Sequence, residues 1–168
     1  MKNTDNITLD RISKAHPIIR EQLRQHYIEI SAQLPEFCRL RFAYVFRSPE
    51  EQSKLFNQRP KVTNANAWQS IHNYGLAFDI VLLYDNDRNG TFEEASWSLT
   101  KDINNDKTPE WTQVVTYFKS KGYIWGGDWI SFKDAPHFEV KGYNWRTLKN
   151  LIDQKKIITN NGVIYPAI

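Results

Sequence analysis

The segment from Phe78 to Tyr84 constrains the fold of this chain more than any other. Its mostly apolar run predicts a central β-strand that is buried on both faces. Asp79 interrupts the run, and a carboxylate in such a strand is costly unless it is paired with a cation or bound to a metal. The segment therefore predicts both the middle of a sheet and a functional site near its start.

Two short segments supply partners for that carboxylate. His72 precedes Asp79 by seven residues, and far downstream Asp134 stands three residues before His137. Two imidazoles and one carboxylate are ligands that zinc accepts, and three protein ligands leave one coordination position for water. Asp134 would then be left over as a general base. From spacing alone, two structural histidines and an aspartate that caps a turn are an equally good explanation.

The order of these motifs resembles a known peptidase family. The pattern S-x-H-x-x-G-x-A-x-D at residues 70–79, followed by D-x-x-H at residues 134–137, resembles the zinc-binding signature of the M15 metallopeptidases. The segment Gly-Tyr-Ile-Trp-Gly-Gly-Asp-Trp at 122–129, and Phe-Arg-Ser at 46–48 with Gln52, are similar to the phage endolysin-like branch of L-alanyl-D-glutamate endopeptidases. The resemblance runs from about residue 40 to residue 140.

The resemblance implies a role for each matching residue. The zinc ligands would be His72, Asp79 and His137. Asp134 would be the catalytic base, and Arg47 would stabilise the oxyanion or hold the substrate. Arg47 could instead be a surface salt-bridge partner.

Three further residues are candidates for substrate binding: Ser70, Gln52 and Trp129. Ser70 could orient the metal-site loop instead of touching substrate. Trp125 and Trp129 flank a glycine pair near Asp134, and one of the two rings could line the cleft, but the sequence does not choose between them.

A second candidate cation site lies at residues 85–90, Asp-Asn-Asp-Arg-Asn-Gly. Its first, third and fifth positions, Asp85, Asp87 and Asn89, imitate the Ca²⁺ ligands of a calcium loop, with glycine at the sixth position. Ser96 stands where such a loop has a bidentate glutamate. A solvated turn is the alternative, because these residue types are common in turns.

The predicted elements favour an α+β fold, with a small antiparallel sheet and flanking helices. Helices are predicted within residues 8–34 and over 49–57, 110–121 and 144–155. Strands are predicted over 40–46, 78–84, 123–125 and 137–140, with a strand or extended segment at 129–132 and an irregular segment at 85–109. We expect a single domain over residues 1–168, with the motifs at about 40–140 and a short C-terminal tail. The resemblance implies the zinc fold of hedgehog domains and D-alanyl-D-alanine peptidases.

The composition limits the partners. A net charge of +3 is only mildly basic, and the sequence lacks the aromatic-basic pattern of nucleic-acid modules. One cysteine, Cys38, excludes an intrachain disulfide. We expect a monomer without a membrane span or signal peptide, which is made in the cytoplasm and reaches the cell wall after release or export.

These patterns predict a zinc-dependent peptidase that hydrolyses the peptidoglycan stem peptide, with the L-alanyl-D-glutamate bond favoured. One alternative is a D-Ala-D-Ala carboxypeptidase or dipeptidase. Another is a non-catalytic, zinc-dependent wall-binding module, because hedgehog domains resemble this site and are not generally credited with peptidase activity.

Overall fold

The computed structural model describes residues 3–168. The helices are α1 (Asn6–Ser13), α2 (Pro17–Gln33), α3 (Pro49–Asn57), α4 (Glu110–Ser120) and α5 (Trp145–Asp153). The strands are β1 (Cys38–Tyr44), β2 (Ala77–Tyr84), β3 (Glu94–Ser96), β4 (Tyr123–Trp125), β5 (His137–Val140), β6 (Ile157–Asn160) and β7 (Val163–Pro166). Short 3₁₀ helices cover Ile71–Tyr74 and Gly126–Asp128.

Strand β2 is the centre of a five-stranded antiparallel sheet. β1 pairs with residues 79–84 of β2. β5 pairs with residues 77–79 of β2, and β3 pairs with residues 82–84. β4 completes the sheet by pairing with β5. The predicted α+β fold with a small antiparallel sheet and a central strand at 78–84 is therefore confirmed. None of the helices in the described part of the chain has the length and apolar character needed to cross a bilayer.

The alternation of side chains along β2 and β5 separates the core from the site. Phe78 stacks between Phe42 and Phe138, with ring centroids 4.5 Å and 5.2 Å apart, and all three rings are buried. Because successive residues of a strand point to opposite faces, Asp79 and His137 lie on the other side of the sheet. Burying a phenylalanine contributes about 1.5–3 kcal/mol, so the core fixes the strands that carry the site.

Local sequence signals explain where the helices begin. The carboxylate of Asp5 accepts from the N–H of Thr8 and caps α1. Ser48 and Glu51 form a capping box at the start of α3, with Pro49 at its first position. The capping box fixes the backbone immediately after Arg47.

Several sequence predictions differ from the structure, including the irregular segment predicted at 85–109, which contains β3. The strand predicted at 40–46 lies at Cys38–Tyr44, and no strand forms at 129–132. The expected C-terminal tail is a β6–β7 hairpin, which turns at Asn161 and Gly162, both with positive φ. The hairpin is attached to the end of α1, because the buried Tyr165 donates from its hydroxyl to the carbonyl of Lys14.

Candidate metal centre

Three atoms of the predicted ligand set lie close together. Nε2 of His72, Oδ1 of Asp79 and Nδ1 of His137 form a triangle with sides of 3.1, 3.1 and 3.2 Å. In tetrahedral geometry, zinc–ligand bonds of about 2.0–2.2 Å place ligand atoms about 3.3–3.6 Å apart. The triangle is therefore close to the size that a zinc ion requires.

The register of the sheet brings two of these ligands together. Asp79 of β2 and His137 of β5 are direct cross-strand partners. The N–H of Ile80 also donates to the carbonyl of Pro136 at 3.0 Å, which holds the turn before His137 against β2. The backbone pairing of β2 with β5 therefore sets the positions of Asp79 and His137.

His72 comes from the 3₁₀ helix that precedes β2. The hydroxyl of Ser70 caps this helix by accepting from the N–H of His72 at 3.3 Å. The helix ends at Gly75, whose φ of +66° and close approach to the backbone of His16 leave no room for a side chain. His72 is 3% exposed, so its ring is fixed in the wall of the site.

The ring of His72 presents an acceptor to the site. Its Nδ1 lies 2.9 Å from the carbonyl oxygen of Val45. A carbonyl only accepts, so Nδ1 carries the proton and the Nε2 lone pair faces Asp79 and His137. A neutral imidazole held in this way is the form that binds a metal.

His137 is held from its other side by a residue that the sequence analysis did not select. Its Nε2 lies 3.2 Å from Oε2 of Glu139, while its Nδ1 faces Asp79 and His72. The ring of Trp129 packs nearby, with ring centroids 5.1 Å apart. Burial lowers the pKa of His137, but the hydrogen bonds and charges of Asp79 and Glu139 outweigh burial and raise it to about 9.

Asp79 is ionised in this setting. Burial raises the pKa of its carboxyl, but the charges and hydrogen bonds of His72 and His137 outweigh burial and hold the pKa well below its usual range. Once His137 is deprotonated, as metal binding requires, Nε2 of His72, Oδ1 of Asp79 and Nδ1 of His137 present three lone pairs and one negative charge. This set of ligand atoms suits a divalent cation of zinc's borderline character. The residues therefore fit the ion that the resemblance implies.

Arg47 lies next to this set. One guanidinium nitrogen is 3.5 Å from Oδ2 of Asp79, and another donates to Oε1 of Gln52 at 3.0 Å. The side chain of Arg47 is only 11% exposed, so it is not a surface salt-bridge partner.

Gln52 is fully buried, and its amide nitrogen donates to the carbonyl of Ala65. Because no part of Gln52 is exposed, its predicted contact with substrate does not fit the structure, and it instead holds Arg47.

Asp134 lies in the turn before β5. Its N–H donates to the carbonyl of Gly126 at 3.0 Å, and its own carbonyl accepts from the N–H of His137 at 3.1 Å. Burial and the charge of Asp79 raise the pKa of its carboxyl, opposed by the charges of His137, His72 and Arg47. A carboxylate with a raised pKa beside a ligand set is well suited to accept and return a proton.

A cleft of about 650 Å³ opens onto these groups. This volume is in the range of ligand pockets. Its wall contains Arg47, the three ligand residues and Asp134, with the predicted substrate-binding residues Ser70 and Trp129. The wall also contains aromatic and amide residues that the sequence did not predict, which are Tyr44, Asn64, Gln69, Phe132, Tyr143, Asn144 and Trp145.

The segment at residues 85–90 forms a tight turn away from the cleft-lining residues. Carboxylate oxygens of Asp85, Asp87 and Glu93 lie within 4.8 Å of one another. Both carboxylate oxygens of Asp85 accept backbone N–H groups, from Asn89 and Gly90, and the amide of Asn89 donates to Asp87. These bonds fit the solvated-turn alternative, and the calcium site stays a prediction.

Residues 63–140 match a family described as D-alanyl-D-alanine carboxypeptidase, one of the M15 peptidases. The M15 resemblance is confirmed over this segment. The segment holds His72, Asp79, Asp134 and His137, whereas Arg47 and Gln52 lie before it.

Two further comparisons cover a larger share of the chain. The chain is 41% identical over 100 residues to the peptidoglycan L-alanyl-D-glutamate endopeptidase CwlK of Bacillus subtilis (strain 168), over 56% of each chain. The chain thus spans about half the length of this curated relative. It also resembles the crystal structure of the L-Ala D-Glu endopeptidase ChiX of Serratia marcescens, with a TM-score of 0.53, 18% identity and coverage of 80% of this chain and 86% of that one. At that identity the likeness shows the fold.

Proposed function

We propose that this chain is a zinc-dependent peptidase that hydrolyses the stem peptide of bacterial peptidoglycan, at the bond between L-alanine and D-glutamate. The observation that carries the proposal is the triangle of ligand atoms, with Asp134 and Arg47 beside it in one cleft. The 41% identity to CwlK over 100 residues supports the choice of bond.

The proposed ligands of the zinc ion are His72, Asp79 and His137. Bound there, the ion supplies Lewis-acid activation of a water molecule and of the scissile carbonyl. Three protein ligands would leave one coordination position for water, as in other catalytic zinc sites.

The remaining steps belong to side chains of this chain. Asp134 accepts a proton from the attacking water and returns it to the leaving amine, a role that its raised pKa supports. Arg47 keeps a fixed positive charge beside the site and stabilises the negative charge that develops on the carbonyl oxygen. Gln52 holds the guanidinium of Arg47 in place, since its amide oxygen accepts from that group.

The cleft wall supports a peptide substrate. Trp129, Tyr143 and Trp145 offer apolar surface for the peptide, and Ser70 and Asn144 offer polar groups for its amides. Because one chain supplies the ligands, the base and the arginine, we propose that the active unit is a monomeric single domain. It would act on the wall after release or export from the cytoplasm.

The family description favours a second candidate, a D-alanyl-D-alanine carboxypeptidase. Endopeptidase and carboxypeptidase cleavage use the same zinc chemistry, so the fragments released from peptidoglycan distinguish the two reactions. Purified protein should be incubated with peptidoglycan, with a chelator, and with zinc restored after chelation, and the products identified by mass spectrometry. New stem peptides that begin with glutamate, lost with chelator and restored with zinc, are the expected result.

Release of free D-alanine would instead establish the carboxypeptidase. Zinc-loaded, folded protein that binds the wall but releases no fragment would contradict both and favour a wall-binding module. Asp128→Asn is a matched control for variants of Asp134, because Asp128 is half exposed and pairs with Lys119. It should cleave like the wild type.

A further inference from the structure

We propose that Glu139 is a positioning residue for the metal centre. Its carboxylate fixes the ring of His137 so that Nδ1 faces the ion. The inference rests on the proposed zinc-dependent function. It concerns the residues that hold a ligand in place rather than the ligands themselves.

The backbone of β5 places Glu139 beside His137. Residues two apart on a strand point to the same face, so both side chains lie on the face of the sheet that carries Asp79. Glu139 is the cross-strand partner of Ala77, a residue with a small side chain. The side chain of Glu139 is only 17% exposed.

The contact has a chemical consequence for the ligand. A neutral imidazole has one proton for two nitrogens, and the carboxylate of Glu139 can only accept from Nε2 at 3.2 Å. In the neutral form that metal binding requires, the proton therefore stays on Nε2, and the lone pair of Nδ1 faces Asp79 and His72. A carboxylate partner also makes the imidazole a stronger electron donor to a metal.

The two histidine ligands are held by different kinds of partner. His72 donates to the backbone carbonyl of Val45, which a substitution at Val45 would leave in place. His137 depends on a side chain, which can be removed by mutation. A substitution of Glu139 should therefore change the affinity for zinc through His137 while His72 remains held.

The test is the dissociation constant for zinc, measured by competition with a chromophoric chelator. We expect Glu139→Ala to bind zinc about 10- to 100-fold more weakly than the wild type. Glu139→Gln should fall between the two, because an amide oxygen still accepts from Nε2 but carries no charge. Glu21→Gln and Glu21→Ala are matched controls, since the Glu21 side chain is 83% exposed on α2, and both should keep the wild-type affinity.

A second measurement separates positioning from a general structural role. In ¹H–¹⁵N spectra of the zinc-loaded wild type, His137 should be protonated at Nε2 and metal-bound at Nδ1. In Glu139→Ala this signature should weaken or change, while the pattern of His72 stays the same. Thermal unfolding of the zinc-free proteins shows whether the fold itself has been damaged.

Wild-type zinc affinity in a folded Glu139→Ala variant would overturn the proposal. If that variant does not fold, Glu139→Gln decides in its place, and wild-type affinity there would have the same meaning. None of these measurements depends on peptidoglycan cleavage. A wild-type protein that binds zinc but cuts nothing would therefore reject the proposed function and still test the role of Glu139.

Discussion

Gly126 lies directly against the backbone of Asp134. The carbonyl of Gly126 accepts the N–H of Asp134 at 3.0 Å, and a Cβ on Gly126 would overlap the carbonyl oxygen of Asp134. The same Cβ would lie 3.1 Å from Cβ of His137. The absence of a side chain at this one position therefore sets where both the proposed base and a proposed ligand can lie.

Gly126→Ala should disturb the site as well as the fold. The added methyl group has to displace backbone, which typically costs about 1–3 kcal/mol of unfolding free energy. We expect lower thermal stability together with weaker zinc binding, measured by calorimetry and by chelator competition. Lys133→Ala, an exposed position in the same loop, should change neither, and an unaltered Gly126→Ala protein would contradict the close packing.

Asp134→Asn should retain zinc and lose hydrolysis. The amide keeps the shape of the side chain but cannot accept a proton, and general-base catalysis typically contributes about 10²–10⁴-fold. The rate of stem-peptide cleavage and the zinc content should be measured on the same preparation. Cleavage close to the wild-type rate would reject the assigned role, as would loss of zinc without loss of fold.

His137→Ala should lose the metal. Two ligand atoms remain in this variant, and a site with three protein ligands is the usual minimum for catalytic zinc. Zinc content, measured by atomic spectroscopy after dialysis, should fall close to background. His26→Gln is a useful comparison because His26 packs against Tyr117 and Tyr123, away from the ligand set, and it should retain zinc.

Gln52→Ala should lower activity without removing zinc. The buried amide of Gln52 joins the guanidinium of Arg47 to the carbonyl of Ala65, so its loss releases an arginine beside the reacting groups. A displacement of that kind can cost up to about 100-fold in rate. We expect kcat/KM to fall by about 10-fold or more at unchanged zinc content. The exposed Gln58→Ala serves as the control, and equal rates in the two variants would argue against this role.

Acid should weaken the contact between α1 and β1. Asp5 is 5% exposed, caps α1 and accepts two hydrogen bonds of 2.9 Å from Arg41. Burial raises the pKa of Asp5, but the bonds to Arg41 and Thr8 outweigh it and lower the pKa below its usual value. The stabilisation is therefore complete above the unfolded pKa of about 4 and is lost as the pH falls through the lower folded value.

Asp5→Asn should remove that pH-dependent part of the stability. At neutral pH we expect a loss of about 2–4 kcal/mol, because a cap and a largely buried ion pair are broken together. Urea unfolding at pH 7 and pH 3 measures it, and the difference from wild type should shrink at the lower pH. Asp10→Asn, exposed on the same helix, should cost little at either pH. A constant difference across the range would reject the assignment.

Features set by nearby residues could be predicted from the sequence. The capping box of Ser48 and Glu51 and the strand at 78–84 depend on neighbours along the chain, and the structure contains both. The ligand set was proposed from motif spacing and family resemblance, and the structure brings those three atoms together.

Other features depended on contacts that spacing does not reveal. The exact approach of Gly126 to Asp134 requires the folded loop, and so does the burial of Gln52. Two sequence signals nevertheless point to features of this kind. Asn161-Gly162 between apolar residues is typical of a hairpin, and Glu139 lies two residues from His137 on a predicted strand, where side chains share a face.

The cross-strand pairing of Asp79 with His137 has a consequence for molecules that fold incorrectly. A slip of one residue between β2 and β5 turns every side chain of the slipped strand to the opposite face, so His137 would enter the core while Phe138 faced the cleft. Such a molecule could remain compact and soluble but would lack the complete ligand set. The ratio of bound zinc to protein in a purified sample would thus count the molecules whose strands have paired correctly.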